Sequence, residues 1–441
     1  MKGEWTTCKL SDCCEINPEN LKPSWSYSHL RYIDISSVGE GIQTEPFKLI
    51  PRADAPSRAQ RLVANGDVLL STVRPNRRSM LWLDTVEKNY VASTGFAVLR
   101  AKPEKIVPRF LYYTVFNQVF TDYLVTMEKG AAYPAVNVSD IGDAQIVLPS
   151  MAEQKRIASI LGALDDKIGL NRRMNAKLED MARTLFKSWF VDFDPVRAKL
   201  DGRLPAGMDA NTAALFPDAF EESALGLIPK GWRIGTFSEL IEFVIGGDWG
   251  ASTPIGEEII ECLCIRGADI PSLQSGDLGK MPTRYLKASS IEKRRLSGGD
   301  LVIEISGGSP TQCTGRPALA LSRQLEAIKL PLAASNFCRV VKLKSKAYSK
   351  FAYLWLRLLH ESGELFQFET GTTGIKNFGF AIFSQRYPLV IPDINTCKQF
   401  DELIAPLLEQ LQINAELSRL LRLIRGSLNE QIGKNQINEV L

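Results

Sequence analysis

The run Arg74-Pro75-Asn76-Arg77-Arg78 places three guanidinium groups within five residues, directly after the branched apolar segment Val68-Leu69-Leu70. Arginine carries five N–H donors in a rigid planar fork, so such a loop can clamp phosphates or read guanine through O6 and N7. A solvated charged turn is the plainer alternative. A counterpart loop follows the second apolar run Leu301-Val302-Ile303: Gly307-Gly308-Ser309-Pro310-Thr311-Gln312-Cys313-Thr314-Gly315-Arg316. It offers the hydroxyls of Ser309 and Thr311, an amide on Gln312 that suits adenine, and Arg316 for guanine or phosphate. It is equally compatible with an ordinary glycine-rich loop. Two further polar stretches, Lys129 to Asn137 and Thr370 to Asn377, are rich in small residues that allow close backbone approach to a ligand. Within them Lys129, Tyr133, Asn137, Thr372, Thr373, Lys376 and Asn377 supply donors or a stacking face. A simple turn between helix and strand competes with that reading. Arg31 and Arg266, at the aligned segments Tyr32-Ile33-Asp34-Ile35 and Cys264-Ile265-Arg266-Gly267, are weaker candidates of the same kind.

Catalytic constellations are harder to find. The sequence contains no Walker A motif, no G-x-G-x-x-G loop and no Asn/Asp-Pro-Pro-aromatic motif of amino-methyltransferases. Its two histidines, His29 and His360, are far apart in sequence, and its eight cysteines form no C-x-x-C pair, so neither a histidine acid/base centre nor a zinc site is expected. No catalytic residue, metal or cofactor is therefore assigned to this chain. The formal net charge is only +3, so contact with nucleic acid must come from local patches. With no secretory signal pattern and no run of about 18 apolar residues, the expected location is the cytoplasm, with no membrane association.

The elements that would position these loops occur twice. From Ile157 a seven-residue pattern runs through Leu161, Leu164, Ile168, Asn171, Asn175, Leu178, Ala182, Leu185 and Trp189. The same pattern recurs 243 positions later in Phe400, Ile404, Leu407, Leu411, Asn414, Ser418, Leu421, Arg425, Leu428 and Ile432. Both resemble coiled-coil seams with a polar break, and an antiparallel pairing would bring Asn171 to Asn414. Phe186, Trp189, Phe190 and Phe193 place aromatics on both sides of the seam, more than one helix covers, which predicts burial by another protein. Each copy also carries a Trp near its start (Trp5, Trp232), a glycine turn before an apolar strand (Gly66-Asp67, Gly299-Asp300), an aromatic helix (Phe110 to Tyr123, Phe351 to Phe368) and a strand ending in Pro149 or Pro392.

The predicted class is mixed α/β. Residues 1–150 form a first domain, 151–191 a central spacer helix, 192–228 a linker, 229–392 a second domain and 393–441 a distal helix. The linker, punctuated by Pro195, Pro205, Pro217 and Pro229, is expected to bridge two separated bodies, with one short helical turn around Asn211 to Leu215.

Asn171-Arg172-Arg173-Met174-Asn175, then Leu178 through Val196 with its Phe186-Lys187-Ser188-Trp189-Phe190 core, resembles the central spacer of specificity (S) subunits of type I restriction-modification systems. The segments Leu225-Gly226-Leu227-Ile228-Pro229-Lys230-Gly231-Trp232 and Glu153-Gln154-Lys155-Arg156-Ile157 are similar to that family as well. The resemblance covers essentially the whole chain. It implies two target-recognition domains, each reading half of a split double-stranded DNA sequence through loops that include 129–137 and 370–377, joined by an antiparallel coiled coil that fixes the gap. It further implies two methyltransferase (modification) subunits and motor-endonuclease (restriction) subunits as partners, which would hold S-adenosylmethionine, ATP and Mg. Arg425 in the seam, and Cys397 where the first copy has Gln154, depart from the pattern. Two rival readings stand beside it: a self-contained DNA-modifying enzyme with a divergent site, and a coiled-coil scaffold that reads nothing.

Overall fold

The computed structural model of the chain describes residues 5–130, 134–308, 312–371 and 375–438, with side chains to 433. It divides into two compact units, one of residues 1–168 and 420–441, the other of residues 169–419.

In the first unit Gly66, at φ +84°, makes the turn that feeds the fully buried strand Val68–Ser71. The buried Asp67 carboxylate closes that turn by accepting from the Ala64 amide at 2.8 Å, and Arg100 clamps it with bonds of 2.9 and 2.8 Å. Val68–Ser71 lies between Phe96–Ala101 and Met80–Trp82 in an antiparallel sheet completed by Cys14–Ile16. A second sheet, ordered Lys48–Pro51, His29–Ile33, Tyr90–Ser93, Ala59–Leu62, contains one parallel pair. The unit's α/β domain is closed by Thr6–Lys9 pairing antiparallel with Gln145–Leu148.

The second unit repeats this plan. Gly299, at φ +94°, precedes Leu301–Glu304, and the Asp300 carboxylate accepts from the Ser297 amide at 2.8 Å with Lys342 at 3.5 Å. Leu301–Glu304 sits between Cys338–Leu343 and Pro317–Leu319, with Ile241–Gly246 at the edge. Glu258–Ile265 pairs parallel with Leu332–Ala334, matching the parallel pair of the first unit. Arg233–Thr236 and Pro388–Ile391 close the domain as the outer strands do in the first.

The aromatic stretches are helical, with breaks. Phe110 to Tyr123 is two helices, Pro108–Val115 and Gln118–Thr126, because the Asn117 side chain accepts from the Val119 amide at 3.0 Å and starts a new N-terminus. The later stretch is the helix Ser349–Glu361 followed by a 3₁₀ turn, Glu364–Phe368.

The central helix is continuous from Met151 to Phe190 and the distal one from Ile394 to Asn438. Their contacts run antiparallel inside each unit. In the first, Ile157, Leu161 and Leu164 share a core with Leu428 and Ile432. In the second, Asn171, Asn175, Asn414 and Ser418 form a buried polar layer beside the buried Leu411. The pairing within that layer differs from the simple expectation. Asn414 Nδ2 donates to Asn175 Oδ1 at 2.9 Å, while Asn171 Nδ2 donates to Ser418 Oγ at 3.1 Å and to the Asn414 carbonyl at 3.3 Å. Side-chain partners are thus displaced by four residues, and the two side-chain bonds are mates under the 243-residue repeat.

Two expectations are corrected. Phe186, Trp189, Phe190 and Phe193 are not left for another protein: they are buried in the second unit with Phe216, Trp232, Phe351 and Phe400. Ring centroids 5.0 to 6.2 Å apart, such as Trp189–Phe216 at 5.0 Å and Phe186–Phe400 at 6.2 Å, give the tilted and edge-on contacts aromatic rings prefer. The segment after 191 is not a bare tether either. It forms the helix Asp194–Leu200, the helical turn Ala210–Ala214 and the hairpin Phe220–Ser223 with Gly226–Pro229, and it buries Val196 and Phe216 in the same core.

Candidate nucleic-acid interface

In the first unit the three arginines separate. Pro75–Arg77 is one 3₁₀ turn, flanked by Arg74 at φ +49° and Arg78 at φ +54°. Left-handed backbone is costly for residues with a Cβ and is retained mostly where surrounding structure over-determines it, often at functional sites. The over-determining group is Arg78. Its guanidinium donates to Glu40 Oε1 at 2.8 Å, Gln118 Oε1 at 2.5 Å, Thr121 Oγ1 at 3.2 Å and the Phe116 carbonyl at 2.6 Å, and lies 5.0 Å from the Phe116 ring centroid. Arg78 therefore holds the loop from beneath, Arg74 is half-buried, and Arg77 is exposed.

The loop does not stand alone. The Arg74 amide donates to the Pro134 carbonyl at 2.8 Å and the Val136 amide to the Thr72 carbonyl at 2.9 Å, while Ala135 forms bridges to Val73 and Lys129. Backbone ladders thus bring the arginine loop and the 129–137 loop, far apart in sequence, onto one edge. Lys129 and Asn137 are exposed there; Lys129 Nζ lies 3.6 Å from Asp140, and Asn137 begins the helix Val138–Gly142 with its Nδ2 3.0 Å from Asp140 Oδ2. Tyr133 lies outside the described residues.

The second unit makes the equivalent join. Ser306–Gly307, leading into the glycine loop, pairs antiparallel with Lys376–Phe378, which pairs with Glu369–Thr370. Ser306 Oγ donates to Asn377 Oδ1 at 2.5 Å. Lys376 Nζ is 2.8 Å from Glu369 Oε2 and 5.2 Å from the Phe366 ring centroid. Although burial pushes the other way, Lys376 and the Thr314 amide and hydroxyl hold the Glu369 carboxyl below its usual range. Gln312 is exposed and Arg316 half-buried. Ser309, Thr311, Thr372 and Thr373 lie outside the described residues. Arg266 is spent on structure: its guanidinium makes two 2.9 Å bonds to Asp269 and one of 3.0 Å to the Lys280 carbonyl, fixing the turn Gly267–Asp269.

Other polar residues that matter carry no local motif. Arg425 makes a 2.5 Å bond to Asp165 and lies 4.8 Å from the Phe116 ring centroid, and Tyr113 donates to the same carboxylate at 2.7 Å. This explains the departure of Arg425 from the apolar seam, since Asp165 stands where the other copy has Leu408. Asn117 Nδ2 donates to the Asn429 carbonyl at 2.5 Å. In the second unit Arg357 joins the aromatic helix to the central one through Glu179 at 3.2 Å. Such pairs are visible in sequence only as seam irregularities. Among the described residues no cluster of three or more His, Cys, Asp or Glu could hold a metal ion, and no helix is long and apolar enough to cross a membrane.

Taken together, the chain is a duplicated α/β protein, each module joining two polar loops through backbone pairing beside a buried sheet. Residues 2–180 match the type I restriction modification DNA specificity domain. A specificity subunit of the HindI type I restriction enzyme of Haemophilus influenzae is 30% identical over 233 residues, covering 44% of this chain and 51% of the relative. The MjaIX specificity subunit of Methanocaldococcus jannaschii is 24% identical over 374 residues, covering 83% of this chain and 77% of that one. The match thus spans about half the length of the Haemophilus relative. The S subunit of a type I restriction-modification system from M. genitalium shares the fold, with a TM-score of 0.53 at 12% identity over 98% of this chain and 96% of that one. The sequence likenesses are thus to specificity subunits of type I restriction-modification systems, with residues 2–180 carrying the family match.

Proposed function

We propose that the chain reads a bipartite target in double-stranded DNA and delegates the chemistry. The observation that carries this reading is the repetition of one joined loop pair, 72–78 with 129–137 and 305–316 with 370–377, in two modules of a chain whose residues 2–180 match the type I restriction modification DNA specificity domain. Arg74, Arg77, Lys129 and Asn137 contact the first half-site, with Tyr133 on the same loop. Gln312, Arg316, Lys376 and Asn377 contact the second, joined by Ser309, Thr311, Thr372 and Thr373 of the same sequence stretches. Arg78 and Arg266 position the backbone that presents these groups. The helix pair sets the unspecified gap; a 40-residue helix is about 60 Å long, more than one turn of duplex DNA.

Partner subunits carry out adenine methylation and cleavage of unmodified DNA in the cytoplasm, holding S-adenosylmethionine, ATP and Mg themselves. A second apolar stripe supports two identical docking sites for the methyltransferase. Ile160, Met174 and Met181 lie at heptad spacing on the central helix, their 243-residue counterparts Leu403, Leu417 and Ile424 repeat it on the distal one, and all six are exposed.

The test is co-expression with the methyltransferase subunit followed by single-molecule sequencing to map modified adenines. A split motif with two short defined halves is expected. A stable complex without any motif favours the scaffold alternative, and methyl transfer by the purified chain alone favours the enzyme.

A further inference from the structure

The two modules enter their recognition loops through the same contact but present different residues there. In the first, the amide and hydroxyl of Thr72 reach the carbonyl of Gly95 at 2.9 and 3.0 Å, in the turn between Tyr90–Ser93 and Phe96–Ala101. In the second, the amides of Ile305 and Ser306 reach the carbonyl of Phe337 at 2.7 and 3.3 Å, in the turn between Leu332–Ala334 and Cys338–Leu343. Phe337 therefore stands where the first module has Gly95. A Cβ at 95 would lie 2.1 Å from Ile35 Cδ1, so a side chain there requires the end of Ile35 to move aside.

The second turn has a different character. Ser335 and Cys338 are buried at 0% and 1%, whereas Phe337 is 47% exposed and Asn336 is exposed beside it. The residues bonded to this turn run straight into Gly307 and Gly308, at φ +150° and +75°, which have no side chains to cover the ring. A single exposed aromatic is unremarkable on a generic surface. This one is fixed by two backbone bonds at the root of the loop proposed to contact DNA.

We infer that the Asn336–Phe337 turn belongs to the reading surface of the second module, and that the Phe337 ring packs against the 5-methyl group of a thymine in the second half-site. Phenylalanine has no donor or acceptor for the polar edges of bases, and thymine alone of the four carries an apolar group in the major groove. The first module, with Gly95 at the equivalent place, lacks this contact. The inference rests on the DNA-reading assignment above.

The experiment uses the complex of the full chain with its methyltransferase subunit, after the modified motif has been mapped. Duplexes carrying that site are methylated with each thymine of the second half replaced singly by deoxyuridine, which removes only the methyl group. One replacement is expected to lower kcat/KM roughly three- to tenfold, the order expected for losing one buried methyl. Phe337→Ala is expected to lower the rate on the thymine duplex by a similar factor and to be indifferent to that replacement, while tolerance in the first half-site stays unchanged. Phe337→Leu, which keeps an apolar group, is expected to retain part of the discrimination. Three results overturn the inference: no thymine in the second half whose methyl matters, sensitivity to deoxyuridine that persists in Phe337→Ala, or an equal loss on all sequences, which marks a wedge or a misfolded turn. A wild-type complex that yields no split motif overturns the DNA-reading assignment and this inference with it; a motif insensitive to Phe337 overturns this inference alone.

Discussion

Arg77 and Arg78 are adjacent and chemically identical, yet their surroundings give them opposite duties. Arg77→Ala is expected to slow methylation roughly tenfold, as for loss of one base or phosphate contact, with an unchanged melting midpoint. Arg78→Ala is expected to lower that midpoint by roughly 5 °C, because charge-assisted bonds to Glu40, Gln118, Thr121 and the Phe116 carbonyl are lost together; methylation assays and thermal scans on both variants separate the two roles. The arginine cluster was legible in the sequence, but this division was not, since Arg78's acceptors lie roughly 40 residues away in either direction and converge only on folding. Glu304 is a case of the same kind. Burial, with Glu369 nearby, pushes its carboxyl up, Arg316 offsets this only in part, and its Oε2 has no hydrogen-bond partner among the described residues. An acid with a raised folded pKa costs stability as pH climbs from its unfolded value and reaches the full cost above the folded one. Glu304→Gln is therefore expected to raise the melting midpoint by about 2 to 4 °C at pH 8 and by little near pH 4, and a difference that grows towards acid would contradict the assignment.

At the scale of elements, the heptad pattern located both long helices because a seam of apolar residues with period 3.5 is a local property. It did not fix the stagger. The polar layer joins Asn175 to Asn414 and Asn171 to Ser418, an offset decided by packing along both helices. Asn175 has a further partner outside the seam, since its Nδ2 donates to the Leu411 carbonyl at 2.9 Å and to the Ser275 carbonyl of the second α/β domain at 3.2 Å. Asn171→Ala and Asn175→Ala should each cost about 1 to 3 kcal/mol in denaturant titrations. Only Asn175→Ala is expected to speed hydrogen exchange around residues 275–278; equal exchange in the two variants would remove that link. The aromatic helices show the reverse lesson: their apolar content was plain, while the break at Asn117 depended on one side chain capping a new helix.

For the molecule as a whole, the duplication was the most legible feature, and the fate of 192–228 the least. Proline and glycine marked that segment as a linker, but Phe193, Val196 and Phe216 carry it into the second unit's core, and that outcome depends on Trp232 and Phe400 being there to receive them. The proposed ruler leads to a length prediction. Four residues, about one turn, inserted into the central helix between 157 and 189 are expected to change the spacing between mapped half-sites or abolish modification; an unchanged split motif would end the idea. The Arg425–Asp165 bond bears on a different matter, how the chain tells itself from a neighbour during synthesis. The two long helices are similar enough that copies on different chains could pair like with like. Two distal helices would then set each half-buried Arg425 against Leu408, and two central helices would set Asp165 against Ala182. A charge stranded in that way costs about 3 to 5 kcal/mol, so one ion pair acts as a password that admits only the unlike helix.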